Sequence, residues 1–200
     1  MLKYWSFIAP ILLLLTAVTS SGQNTYSLNH ASTINFDSAS PYKNYRISLA
    51  VIDPDNKDEN IPNTLFTVSR LSGGQYSLIF SDSVFSQTRN VEFADFNNDT
   101  IPDILVQNIS DVRSNQTYYL YLVDTVQHQL SKIKGFETIK NPTYVPEHNL
   151  VTSYVMSGQI WTGFYTIKDG TVKDSGVVVY DNQTDDGSYE RNYKKQYGLY

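Results

Sequence analysis

The sequence contains no cysteine, so it has no disulfide, thiolate metal site or cysteine nucleophile. Histidine is almost as scarce: His30, His128 and His148 lie in unrelated polar contexts, with no two at metal-ligand spacing. The G-x-S-x-G elbow, the H-E-x-x-H helix and the Gly-rich phosphate loop are all missing. Positive charge is in deficit, with 15 Lys+Arg against 20 Asp+Glu and a formal net charge of −5. Nucleic acid and anionic membranes are bound through clustered Lys and Arg that displace counterions, so neither partner is expected. No apolar run reaches the roughly 20 residues of a bilayer span. No apolar i, i+3, i+4 pattern is sustained over about ten residues, so helix should be minor.

What is present begins with an export signal. Lys3 gives a positive start, and Phe7, Ile8, Ala9, Ile11 to Leu15, Ala17 and Val18 give a short apolar stretch. Small residues at Thr19 to Gly22 follow, so residues 1–22 read as a signal peptide cleaved near Gly22. The mature protein is expected to be periplasmic or secreted, soluble, and free of the membrane after cleavage. Removing that segment takes away one lysine and no carboxylate, so the net charge of −5 becomes −6. What remains is enough chain for one domain with its own core. Export without disulfides leaves two uses for the carboxylate excess: solubility, or binding a cation that helps hold the fold together.

Residues 23–44 are polar and rich in Ser, Asn and Thr, and read as a flexible lead-in. From Tyr45 the texture changes to period-two alternation over 45–51, broken by the turn-forming run Asp53 to Asp58. Further strands are predicted at 64–71, 76–80, 90–93, 104–107, 117–123, 150–155, 161–167 and 171–179. Ser72-Gly73-Gly74 and Lys168-Asp169-Gly170 mark hairpin turns. The 16 tyrosines suit half-buried pleated surfaces better than helices. The expected fold is therefore mainly β: one antiparallel domain over 45–180, as a β-sandwich or an incomplete β-propeller-like arrangement. Residues 181–200 are polar and turn-rich, and read as a tail or a last edge strand.

The most informative segment is Phe93-Ala94-Asp95-Phe96-Asn97-Asn98-Asp99-Thr100-Ile101-Pro102-Asp103-Ile104. Oxygen-bearing side chains stand at loop positions 1, 3, 5 and 9: Asp95, Asn97, Asp99 and Asp103. In a curled loop the first three converge, and the Ile101 carbonyl with the Asp103 carboxylate closes the cage. Hard oxygen donors without His or Cys select Ca²⁺. The pattern resembles the calcium loop of FG-GAP and VCBS-type repeats found in β-propellers and integrin-like domains. Those loops commonly carry Gly where this chain has Asn98 and Thr100. Asn tolerates the left-handed conformation; a β-branched Thr does not.

A longer resemblance runs from about Leu65 to Gly170. A strand-turn-strand unit leads into the loop; Asn115-Gln116, Tyr118-Tyr119 and Tyr121-Leu122, a Pro142 region and the Tyr165-x-Ile167-x-x-Gly170 hairpin follow. That order is similar to the small exported family of the Xanthomonas calcium-binding immunity protein, a periplasmic inhibitor of a peptidoglycan-cleaving, lysozyme-type effector. The resemblance implies a β fold, one Ca²⁺ and a cell-wall hydrolase as protein partner. It places no inhibitory residue on this sequence.

Catalysis finds little footing. A glycosidase needs two carboxylates across a cleft, and Glu92, Glu137, Glu147 and Asp124 cannot be paired from sequence, so the chain is read as no enzyme, with hydrolysis the last alternative. Alternation puts Tyr119 and Tyr121 on one strand face and Tyr118 on the other. With Trp161, Phe164 and Tyr165 they are candidates for a recognition patch, or else for core on one face and half-buried surface on the other. The partner-binding residues expected are Tyr118, Tyr119, Tyr121, Trp161 and Tyr165, and either a protein or a glycan suits them. The sequons at Asn98, Asn108, Asn115 and Asn182 are read as chance in an Asn- and Thr-rich chain.

Overall fold

The structure, a computed structural model, describes residues 33–35, 41–181 and 186–196. The signal peptide read at 1–22 and the sequon at Asn182 lie outside the described residues.

The strands form three four-stranded antiparallel sheets, each a meander of consecutive strands. The first holds β1 (Thr33–Asn35), β2 (Tyr45–Val51), β3 (Thr64–Ser72) and β4 (Gln75–Val84). The second holds β5 (Val91–Ala94), β6 (Asp103–Ser110), β7 (Gln116–Asp124) and β8 (Gln129–Lys132). In the third, β12 (Thr171–Asp181), β11 (Ile160–Lys168), β10 (Leu150–Val155) and β9 (Pro142–Val145) lie in that order. Among the described residues they form no closed barrel, and the architecture is β-sandwich-like with a third layer. The two hairpin signals hold: Gly73 and Gly74 have φ of 58° and 80°, and Asp169 and Gly170 of 51° and 68°. Two consecutive left-handed residues match the right-handed twist of the flanking strands.

The second sheet is the middle layer. Ile104, Val106, Tyr121 and Val123 meet Ile47, Leu49, Phe66 and Val68 of the first sheet in one core. Leu105, Tyr118 and Leu120 point the other way and meet Phe136, Ile139 and Val151 in a second core. Both faces of β6 and β7 are covered, which is why Ile104-Leu105-Val106 is continuously apolar and does not alternate.

Helix α1 (Ser188–Gln196) occupies part of the segment expected as a tail or edge strand. Asp186 Oδ1 accepts the Ser188 N–H at 2.8 Å ahead of its first turn, and Glu190 pairs with Lys194 at 3.1 Å. Its tyrosines, four residues apart and hence on one face, carry the docking: Tyr189 hydroxyl meets Thr162 Oγ1 at 2.7 Å, and the Tyr193 ring lies 5.7 Å from Phe164. The helix thus covers the outer face of the third sheet. Strand β1 likewise falls inside the segment expected to be flexible, pairing Thr33–Asn35 with Ser48–Ala50.

Candidate functional site

Ala94 of β5 pairs with Asp103 of β6, and the loop between them carries the acidic pattern. The loop is stitched by its own side chains. Asp95 Oδ1 accepts the N–H groups of Asn97 (3.1 Å) and Asn98 (2.7 Å), and Oδ2 accepts that of Thr100 (2.8 Å). Asn97 Oδ1 accepts the Asp99 N–H, while Asp99 Oδ1 accepts the Ile101 N–H and Oδ2 the Asn97 amide. Asn98 and Thr100 take φ of 61° and 70°. Both positions are therefore left-handed, Thr100 despite its β-branched side chain.

Asp103 stands apart. It is fully buried, its Oδ2 accepts the Phe96 N–H at 2.8 Å and its Oδ1 the Val123 N–H at 3.0 Å. One carboxylate thus ties the loop to β7. Burial pushes its pKa up to about 6 against those two donors, with Asp99 and Asp95 adding repulsion. Burial also raises Asp95, but the N–H groups of Asn97, Thr100 and Asn98 outweigh it and hold that carboxyl below its ordinary value. The Tyr42 phenol is pushed up by burial and then by the charges of Asp103 and Asp99, with Asp95 adding to them.

A calcium ion's fit can be judged on this geometry. No ion pair with Lys, Arg or His neutralises Asp95, Asp99 or Asp103 among the described residues. In the geometry shown the oxygens turn toward loop amides, and among the described residues no group of three His, Cys, Asp or Glu is gathered as a metal shell. Each carboxylate oxygen has two acceptor directions, so amide donation leaves capacity for a cation. The donor set is all oxygen, which suits Ca²⁺.

The aromatic candidates are not gathered into one patch. Tyr121 is fully buried, its ring 4.7 Å from Phe66 and 5.4 Å from Phe80, and its hydroxyl donates to Asp82 Oδ2 at 2.8 Å. Lys132 pairs with the same Asp82 at 2.7 Å and lies 4.5 Å from the Tyr119 ring. Tyr119 and Tyr121 thus anchor the first core, and Tyr118 and Tyr165 the second. Tyr118 and Tyr121 are withdrawn as partner-binding residues because both faces of β7 are covered. Trp161, half-buried on β11, sits opposite the half-exposed Tyr180 of β12, and Val178 is exposed on the same sheet face. Val178 was legible only as a strand residue and Tyr180 fell just past the predicted strand; the register that sets them beside Trp161 is a property of the assembled sheet.

Asn115 and Asn108 are buried, so neither sequon offers an accessible acceptor. The Asn115 amide donates to Asp111 and to the Met156 carbonyl, while its oxygen accepts from the Met156 N–H and from Asn141. Asn141 in turn accepts the Gln116 N–H and donates to the Tyr154 carbonyl. These two side chains join the β6–β7 hairpin to the third sheet.

A cleft of about 430 Å³ opens beside the loop, between β5 and β9. Glu92, Phe93, Asp95, Phe96, Tyr118 and Tyr144 line it, with Asn141. Sequence reasoning missed it because β9 comes from a segment in which no strand was expected.

No family model matches the chain, and no curated protein matches it. Among solved structures it is similar to one described as a Xanthomonas type IV secretion system related protein, at 14% identity and a TM-score of 0.46, over 79% of this chain and 86% of that one. No helix among the described residues is long and apolar enough to cross a membrane.

Proposed function

We propose that this chain is an exported recognition protein whose 95–103 loop holds one structural Ca²⁺. The ion would be held by Asp95, Asn97, Asp99, the Ile101 carbonyl and Asp103. The supporting observation is that three carboxylates spaced along one loop have no ion-pair partner among the described residues, in a loop already curled through left-handed Asn98 and Thr100. An ion bound only by the folded state stabilises it by RT ln(1 + [L]/Kd), about 2.7 kcal/mol at 100 times Kd. For a domain of this size that raises Tm by about 5–10 °C. Calorimetry with chelator, then with millimolar Ca²⁺ or Mg²⁺, tests this. Ca²⁺ should restore the transition, Mg²⁺ should not, and Asp99→Ala should abolish the response. Identical transitions under all three conditions would remove the ion from the reading.

The partner we propose is a protein of the cell envelope, a peptidoglycan-cleaving enzyme that this chain inhibits. That part rests on the sequence resemblance over 65–170. Glycan binding is the second reading, favoured by the exposed aromatic surface at Trp161 and Tyr180. Capture from envelope extract with the mature protein, followed by a cell-wall lysis assay, separates them: inhibition supports the first, and capture of glycan alone the second.

A further inference from the structure

The cleft between β5 and β9 has a chemistry of its own. Glu92 enters it from β5, and its Oε1 receives the Tyr118 hydroxyl at 2.8 Å. That hydroxyl lies on a buried residue and also meets Gln116 Oε1. Glu92 Oε2 makes no hydrogen bond among the described residues, and the Asn90 amide reaches Oε1 only at 3.4 Å. Asp95 adds a second carboxylate at the loop end of the cleft, and no Lys, Arg or His is among the lining residues.

The remaining wall is aromatic. Tyr144 from β9 and Phe96 from the loop stack obliquely at 5.9 Å, with Phe93 nearby. The polar side chains here offer acceptors but few donors. Tyr118 gives its proton to acceptors already in place, Tyr144 hydroxyl meets Asn149 Oδ1 at 2.9 Å, and Asn141 spends its amide on Asn115 and the Tyr154 carbonyl. A sugar needs donors and acceptors in comparable number. A cation needs acceptors and ring faces.

We propose that this cleft receives a lysine or arginine side chain presented by a protein partner, its charged head on Glu92 and its stem along the Tyr144 ring. At about 430 Å³ the space is at the small end of ligand pockets and suits one such side chain. The inference deepens the recognition reading. It does not rest on the ion: Glu92, which takes the charge, lies outside the loop, although Asp95 and Phe96 of the loop also line the cleft.

The test is an NMR titration of the ¹⁵N-labelled protein, in Ca²⁺ and again in chelator. The probes are Nα-acetyl-lysine amide, Nα-acetyl-arginine amide, neutral Nα-acetyl-norleucine amide and N-acetylglucosamine. Both cations should give saturable shifts at the amides of Glu92, Ala94 and Tyr144, binding at least about ten-fold tighter than norleucine and weakening with added salt. Glu92→Gln keeps an acceptor for Tyr118 and should lose about ten-fold in cation affinity; Tyr144→Leu should lose affinity without loss of fold. Equal binding of norleucine, stronger binding of the sugar, no saturable shift up to tens of millimolar, or an unchanged Glu92→Gln would each overturn the proposal. Cation binding that persists in chelator while Ca²⁺ leaves the melting transition unmoved supports the cleft and removes only the ion.

Discussion

Thr100 is where the loop is most strained, and replacing it tests that strain directly. Its φ of 70° lies in the left-handed region, and its N–H donates to Asp95 Oδ2 at 2.8 Å. For an L residue that conformation costs about 1–2 kcal/mol, and a β-branched side chain belongs at the upper end. The Thr100 side chain is exposed, so removing it forfeits little packing. Thr100→Gly lifts the steric cost, while the freer unfolded chain takes back about 0.5–1 kcal/mol. The net expectation is a gain of about 0.5–1.5 kcal/mol, with about 2–4 °C in Tm for each kcal/mol. Urea unfolding in chelator reads this without any contribution from an ion. Asn98→Gly is the control, with a smaller gain because Asn tolerates its φ of 61°. If Thr100→Gly proves less stable than the parent, or gains no more than Asn98→Gly, the turn is not strained as argued. In Ca²⁺ the same variant should also bind the ion more tightly, since the curled loop then costs less to form.

Other substitutions separate the roles of the carboxylates and the interlayer ties. Asp103→Ala should lose about 1–3 kcal/mol even in chelator, net of relieving a buried charge, because the Phe96 and Val123 amides lose their acceptor; Asp99→Ala in chelator should be nearly neutral, and equal losses would refute the division. Asn115→Ala should cost about 2–4 kcal/mol in urea unfolding, since it strips Met156 and Asn141 of buried partners; a loss below about 1 kcal/mol would mean the hairpin is tied otherwise. Asp111 is held well below the usual carboxylate range by the Asn115 amide and then by Lys140. A carboxyl depressed in the folded state contributes stability above its unfolded value, about pH 4, and loses it as pH falls through the folded value. The fall in Tm below about pH 4 should therefore be shallower in Asp111→Asn, and an unchanged acid limb would sink this assignment.

The sequence alone determined the strand content, two hairpins and the loop. Period-two alternation places Tyr45–Val51 with the observed bounds, and Gly73-Gly74 and Asp169-Gly170 specify turns through conformations that few residues adopt. The loop is legible because its hydrogen bonds are local: Asp95, Asn97 and Asp99 reach amides two to five residues away. Helix α1 was hidden because its stability comes from Tyr189 and Tyr193 meeting the third sheet and not from a broad apolar stripe. Only the tertiary structure decided that both faces of β7 are covered, so that alternation of Tyr118, Tyr119 and Tyr121 distributes them between two cores and forms no exposed tyrosine patch. It also decided that β9 lies across from β5, bringing Tyr144 to Glu92 and Tyr118 from a distance no local pattern records. Strand propensity and turn chemistry act over a few residues, whereas which sheet covers which depends on burial summed over the whole chain.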